Sequence, residues 1–410
     1  MKIALVTYAL HAGGMETLLF GLANGLRRHG IDVTFVVTDY IGVWHDKPKD
    51  LGYDVITLIS SLWESPYAHA NRVARTLGSF DVVLLNHSVA AQSSAGLLPE
   101  SCVVISILHC DLDLIYNLGL SNIANIDKVV AVGERVKNKA QSLVKDPEKI
   151  CLIRNGVEVF SDYRKNEINT AQNSPLRCVY LGRITDDAKG VFYLPKIITE
   201  IKNLNINITL DIIGEGKDKL ELQNQFHDLS IDNMVTFHGL LSNENAMSLL
   251  IQCDVLLMPS HYEGQPIVLF EAMARGVVPV VSRLPGITDS VITDGVNGVL
   301  VNVSDVVGFA DALSALALDP DRLTKMSVAA WQTALNEFSV DHMTQGYIDL
   351  IARCIELRKR NMDFKRNKVI DLCELGPHPN VLNFFLKIKK RIEIFLEKSG
   401  LKQEKILPVA

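Results

Sequence analysis

The sequence predicts an α/β protein made of two consecutive doubly wound domains, each a parallel sheet covered by helices. Three observations predict it. Short β-branched runs recur with helical patterns between them, the signature of parallel strands joined by helical crossovers. Several runs, among them DVVLLNH, CVVISIL and DVLLMP, lack polar alternation, as strands buried on both faces do. A polar, Asn-rich stretch, EVFSDYRKNEINTAQNSP over residues 158–175, then interrupts the series before a second one begins. Linkers between domains have that composition.

The first series is KIALVT, DVTFVVT, DVVLLNH, CVVISIL, KVVAV and KICLI; the second is RCVYLG, NITLDII, MVTFHG, DVLLMP, VVPVVS and GVLV. Segments 190–204, 216–228, 243–252, 265–275 and 305–316 carry helical patterns between the later strands. Domains are therefore expected at residues 1–160 and 161–350, followed by a tail at 351–410. In open sheets of this kind ligands bind beyond the carboxyl ends of the strands, and two such sheets place the site in the cleft between them.

A chain of 410 residues, 48% apolar and 21% charged, is ordinary globular material. Its net charge of −6 argues against a generic nucleic-acid partner. The balance is uneven: residues 351–410 hold 14 Lys/Arg and 7 Asp/Glu, a net +7, so the rest carries −13. Seven cysteines without a C-x-x-C pair fit buried thiols in a reducing, cytoplasmic compartment better than a disulfide framework or a zinc site. The start, MKIALVTYAL, has the look of a short signal peptide, but HAGGMETLLFGLANGL continues it as a glycine turn feeding a helix. No run of about 18 apolar residues is present to span a bilayer.

The most informative stretch is residues 254–301. A buried strand ends in Pro259 and Ser260, a loop carries Glu263 and Gly264, and Pro266 falls where the first turn of a helix favours proline. With that helix starting near Gln265, Glu271 lies roughly 8–9 Å along its axis. Two carboxylates so spaced suit two parts of one polyhydroxylated ligand. The plain alternative is a solvated first-turn acid at Glu263 and a surface residue at Glu271.

This segment, with its E-x7-E, its MARG-x-x-P-V-V strand entry and its D-G-x-N-G turn, resembles the nucleotide-sugar domain of retaining glycosyltransferases of family 4 (glycosyl transferases group 1). GRITDDAKG (Gly182 to Gly190), IIGEGKDK and IRNGVE (Ile153 to Glu158) extend the resemblance, which spans residues 1 to about 350 and is strongest over 150–305. It implies the GT-B fold, two Rossmann-like domains facing across a cleft, and metal-independent transfer of a sugar, without cofactor, from a nucleoside diphosphate donor to a hydroxyl acceptor. The expected acceptor is a lipid-linked saccharide or a lipopolysaccharide or cell-surface polysaccharide intermediate.

Arg183 and Lys189 follow a strand end in a glycine-flanked loop and suit a departing diphosphate; within about 4 Å each is worth roughly 4 kcal/mol before desolvation. Their alternative is a surface Arg and Lys paired with Asp186 and Asp187. The resemblance assigns the diphosphate to Arg183 and Lys189, sugar hydroxyls to Glu263, with Gly264, Gln265 and Pro266 beside it, and the ribose to Glu271. It places the Gly13-Gly14 turn and His109 across the cleft near donor and sugar. Gly13-Gly14 is not the G-x-G-x-x-G dinucleotide fingerprint. A rival for His109 is a metal site with Asp111 and Asp113, a D-x-D. Gly133 stands where many relatives carry a serine.

In the tail, Val381, Phe385, Ile388, Ile392 and Phe395 recur at helical spacing with Lys387, Lys389, Lys390 and Arg391 between them. That pattern fits either the surface of an anionic membrane, making the protein peripheral on its inner face, or a final helix packed on the body. Two functional rivals share the architecture: a nucleotide-sugar epimerase or hydrolase, and a non-catalytic subunit that binds nucleotide-sugar.

Overall fold

The computed structural model describes residues 1–11, 13–61, 63–163, 174–360 and 365–372. Strands β1 (Lys2–Thr7), β2 (Asp32–Val37), β3 (Asp54–Thr57), β4 (Val82–Asn86), β5 (Val103–Leu108), β6 (Lys128–Ala131) and β7 (Ile150–Leu152) form one sheet in the order β3-β2-β1-β4-β5-β6-β7. Strands β8 (Leu176–Leu181), β9 (Ile208–Ile213), β10 (Val235–Gly239), β11 (Val255–Met258), β12 (Val278–Ser282) and β13 (Val299–Val301) form the second, in the order β10-β9-β8-β11-β12-β13. Every pairing is parallel. The expected pair of doubly wound domains is therefore present.

Alternate residues of each central strand serve opposite cores, the period-two rule of a strand covered on both faces. Ile3 and Leu5 join one core of the first domain while Ala4 and Val6 join the other. Val255 and Leu257, against Leu256 and Met258, do the same in the second. Strand order reverses between β1 and β4 and again between β8 and β11. These are the two points where such sheets open a crevice for ligands.

The carboxyl half departs from expectation. Helix Val340–Arg360, which the sequence reading divides between second domain and tail, packs Val340, Met343, Tyr347, Leu350 and Ile351 into a core of the first domain. It lies so close to helix Gly14–Arg28 that a Cβ on Gly25 would stand 1.9 Å from Thr344 Oγ1. Residues 365–372 also dock on the first domain. Arg366, 3% exposed, donates to the carbonyls of Pro99, Cys102 and Asn125. Asp127 accepts from both Arg358, at 2.7 Å, and Arg366, at 3.5 Å. The 351–410 segment is thus not separate from the body at its start: two of its cations are consumed by one carboxylate. The amphipathic pattern at 381–396 lies outside the described residues, as does much of the linker expected at 158–175. Among the described residues no helix is long and apolar enough to cross a membrane.

Candidate active site

Each crevice is lined by the loops that follow its two central strands. In the second domain, β8 leads to Gly182 and Arg183, and β11 leads to Pro259, Ser260 and Glu263. The loops pass so closely that a Cβ on Gly190, whose φ is +58°, would meet Pro259 O at 2.3 Å. The Ala188 carbonyl accepts from the backbone N–H of both His261 and Tyr262. This contact seats Lys189 on Glu263: Nζ donates to both carboxylate oxygens at 2.7 Å, and Ser260 Oγ donates to Oε1 at 2.7 Å. Glu263 is 5% exposed. The solvated first-turn acid is overturned, because the carboxylate is buried and fully partnered.

Arg183 and Lys189, treated alike in the sequence reading, differ in the fold. Arg183 is exposed, its backbone carbonyl accepts from Tyr180 Oη at 2.6 Å, and its guanidinium has no ion-pair partner among the described residues. Lys189 is partly buried and committed to Glu263. The alternative pairing with Asp186 and Asp187 is absent: Asp187 pairs with Lys217, and Asp186 accepts from the Phe192 N–H.

The helix carrying Glu271 is Ile267–Met273 with Pro266 at its N-cap, not inside its first turn. Glu271 is therefore about 6 Å along it, closer to the loop than expected. It is half-buried, without a side-chain partner among the described residues, and burial raises its pKa, offset in part by Arg275. The surface reading of Glu271 fails for that reason.

Gln265, expected beside the donor, has both ends of its amide engaged by the first domain. Its Nε2 donates across the cleft to Val132 O at 2.8 Å, and its Oε1 accepts from Asn155 Nδ2. Tyr262 Oη donates to the Asp111 carbonyl at 3.3 Å. The loop bearing Glu263 and Gly264 is thus clasped by the first domain.

In the first domain, helix Gly14–Arg28 begins one residue before Met15, with Gly13 as extended N-cap. Buried Glu16 sits beneath the turn and accepts from the His11 N–H at 3.0 Å. His109 follows β5, with Nε2 at 2.8 Å from Asn86 Oδ1. Burial, with His87 nearby, lowers its pKa to about 3. Asp111 does not join it. Against the cost of desolvation, Tyr116, Lys139 and Arg135 hold that carboxyl below its usual range, with Arg135 Nε at 2.7 Å. Asp113 pairs with Lys139 at 2.9 Å. Both carboxylates of the D-x-D are spent on cations.

Four strand ends thus converge on one cleft with separate carboxylate, cation and imidazole groups. Residues 163–333 match the family Glycosyl transferases group 1, and residues 12–159 match Glycosyltransferase Family 4. The chain belongs to the group 1 glycosyltransferases. An uncharacterized glycosyltransferase of Methanocaldococcus jannaschii is 28% identical over 342 residues, 73% of this chain and 85% of that protein. A lipopolysaccharide core biosynthesis glycosyltransferase of Rhizobium meliloti is 26% identical over 186 residues, 45% of this chain and 52% of that protein. The structure of Anabaena HepE in complex with UDP superposes with a TM-score of 0.71 at 18% identity, over 86% of this chain and 100% of that one. The fold of this group 1 glycosyltransferase is GT-B.

The sequence reading of this glycosyltransferase missed Asn86, His87, Ser260 and Glu16. Asn86, His87 and Ser88 end the run DVVLLNHS at a strand's carboxyl end. Polar residues closing an apolar strand were the available signal. Nothing in spacing alone links Lys189 to Glu263, since that contact joins two different loops, whereas Ser260 meets Glu263 within one loop, three residues away.

Proposed function

We propose that this transferase is a retaining hexosyltransferase moving a sugar from a nucleoside diphosphate donor, with uridine as the base, to a hydroxyl of a saccharide or glycolipid acceptor in lipopolysaccharide or cell-surface polysaccharide assembly. The observation that carries the reading is the buried Lys189–Glu263 pair beside the unpaired Arg183 at the β8–β11 crevice. UDP in the complex of HepE and lipopolysaccharide core synthesis in the Rhizobium relative support the donor and acceptor classes.

Arg183 takes the diphosphate as it departs, and Lys189 shares its charge between Glu263 and the phosphate. Glu263, held through both oxygens, orients sugar hydroxyls rather than attacking the anomeric carbon. Gly264 and Pro266 shape the wall beside it. Glu271 accepts from the ribose hydroxyls, while the Gly13-Gly14 helix start and His109 close the opposite side. Front-face attack through an oxocarbenium-like transition state follows, with fixed charges as the main stabilising factor and without a metal ion. The cytoplasmic face of an anionic membrane is the proposed working place, reached through the basic carboxyl-terminal segment.

Calorimetric titration with UDP-, GDP-, ADP- and CMP-sugars tests the donor class; no binding of any of them would sink the reading. Product analysis with and without acceptor separates transfer from epimerisation, hydrolysis and mere binding. Retention of transfer in excess EDTA tests metal independence.

A further inference from the structure

We propose that Asn86 is a positioning residue that fixes His109 as the Nε2–H tautomer, which leaves Nδ1 without a proton, as an acceptor only. Asn86 ends β4 and is wholly buried. Its Nδ2 donates to two main-chain carbonyls, Val6 O on the neighbouring β1 at 3.1 Å and Leu84 O on its own strand at 3.2 Å. Both partners only accept, so the amide cannot be turned over. Its Oδ1 is left facing His109 Nε2 at 2.8 Å. An amide oxygen also only accepts, so the proton in that contact belongs to the imidazole.

Burial keeps the ring neutral at working pH, and a neutral imidazole carries one proton. Nδ1 is therefore a bare lone pair, buried and without a hydrogen-bond partner among the described residues. The His87 ring stands edge-on to it, centroids 5.2 Å apart and planes at 88°. Burial lowers the His87 pKa to about 4, so it brings no charge to the pair. His87 also has a positive φ of 56°, a conformation that non-glycine residues adopt at a cost where the surroundings hold them.

A ring held this way has no proton to release toward a departing phosphate. Leaving-group stabilisation then falls to Arg183 and Lys189. Nδ1 is closed off in this arrangement, so a ligand group reaches it only after the surrounding side chains shift, and it then has to bring a hydrogen: a sugar hydroxyl does, and a carboxylate or phosphate oxygen does not. That consequence rests on the donor binding in this cleft; the tautomer itself does not.

The test uses the full chain labelled with 15N-histidine and long-range proton–nitrogen correlation spectra at neutral pH, with His109→Gln identifying the His109 signals by their loss. The wild-type ring is expected to be protonated on Nε2 alone. Protonation on Nδ1, or on both nitrogens, overturns the assignment, and this measurement needs no Asn86 variant to fold. In Asn86→Ala the tautomer preference is expected to relax, with kcat down about tenfold and donor KM changed less than about twofold. A relaxed tautomer with unchanged kcat overturns the positioning role. If wild-type protein binds no nucleotide-sugar, the functional reading fails, and the spectra still decide the tautomer.

Discussion

Arg183 and Lys189 carry the same charge six positions apart on one loop, yet their surroundings call for different phenotypes. Arg183→Ala removes an exposed, unpaired guanidinium, so turnover is expected to fall at least about tenfold, ~1.4 kcal/mol of barrier, with the urea midpoint unchanged. Lys189→Ala leaves a buried carboxylate without its cation and is expected to cost ~3 kcal/mol of stability as well. Adding Glu263→Gln to Lys189→Ala should restore most of that stability and none of the turnover. Equal urea midpoints for the two single variants would show that the ion pair does not form in solution. Glu271 gives the converse case. Burial raises its pKa in the folded state above the unfolded value. The folded protein therefore holds that proton more tightly, and its contribution to stability, complete below the unfolded pKa, is lost as pH rises through the folded one. Glu271→Gln should flatten this decline and raise stability at neutral pH while weakening UDP binding. A variant that loses both stability and affinity would remove the unpaired-carboxylate account.

At the scale of elements, the loop Ser260–Pro266 is where the two domains meet the chemistry. Tyr262 and Gln265 tie it to the ends of the first sheet, so opening the cleft has to pull on Glu263. Proximity provides a direct check. A Cβ on Gly264 would stand 3.5 Å from Cys110 Cβ, within the span a disulfide bridges. Gly264→Cys should form that bond under mild oxidation, seen as the loss of two thiols and faster migration on a non-reducing gel. Two persistent thiols would mean that this closed contact is not populated in solution. The same scale shows how legibility varies. Strands such as Val82–Asn86, buried at every position, announce themselves in sequence. Asp54–Thr57, a half-exposed edge strand of four residues, has too little apolar pattern to do so and was not anticipated. Pro266 misplaced the start of its helix by the same limitation, since proline is acceptable both at an N-cap and in a first turn.

For the whole molecule, the decisive contact is the return of the chain to the first domain. The helix Val340–Arg360 and the segment 365–372 bind the carboxyl-terminal part to the first sheet through the apolar face of the helix and through Asp127. Removing residues 373–410 spares every residue of this dock, so the truncated protein is expected to stay folded and to bind UDP. It should lose binding to vesicles containing anionic lipid, at about 1 kcal/mol per basic residue near the surface. Full vesicle binding by the truncated form would place the membrane contact elsewhere. Arg366→Ala, by contrast, strips three carbonyls and Asp127 of a buried donor and should cost ~2–3 kcal/mol. Charge acts at this scale too: the chain through residue 372 carries a net −9 and is repelled by anionic lipid, while residues 373–410 carry +3.

The sequence by itself determined the two-domain parallel architecture, because strands buried on both faces need continuous apolar runs and their crossovers need helices. It also determined which loops carry the polar groups, since E-x7-E, GRITDDAKG and Gly13-Gly14 follow strand ends. Only the tertiary structure decided how those groups divide the work. Lys189 is paired and Arg183 free, Gln265 braces the domains, Asp111 is spent on Arg135 and Lys139, and Asn86 orients His109. Each of these depends on contacts between residues dozens of positions apart, set by the approach of separate loops within a few tenths of an ångström. Local periodicity carries no information about such distances.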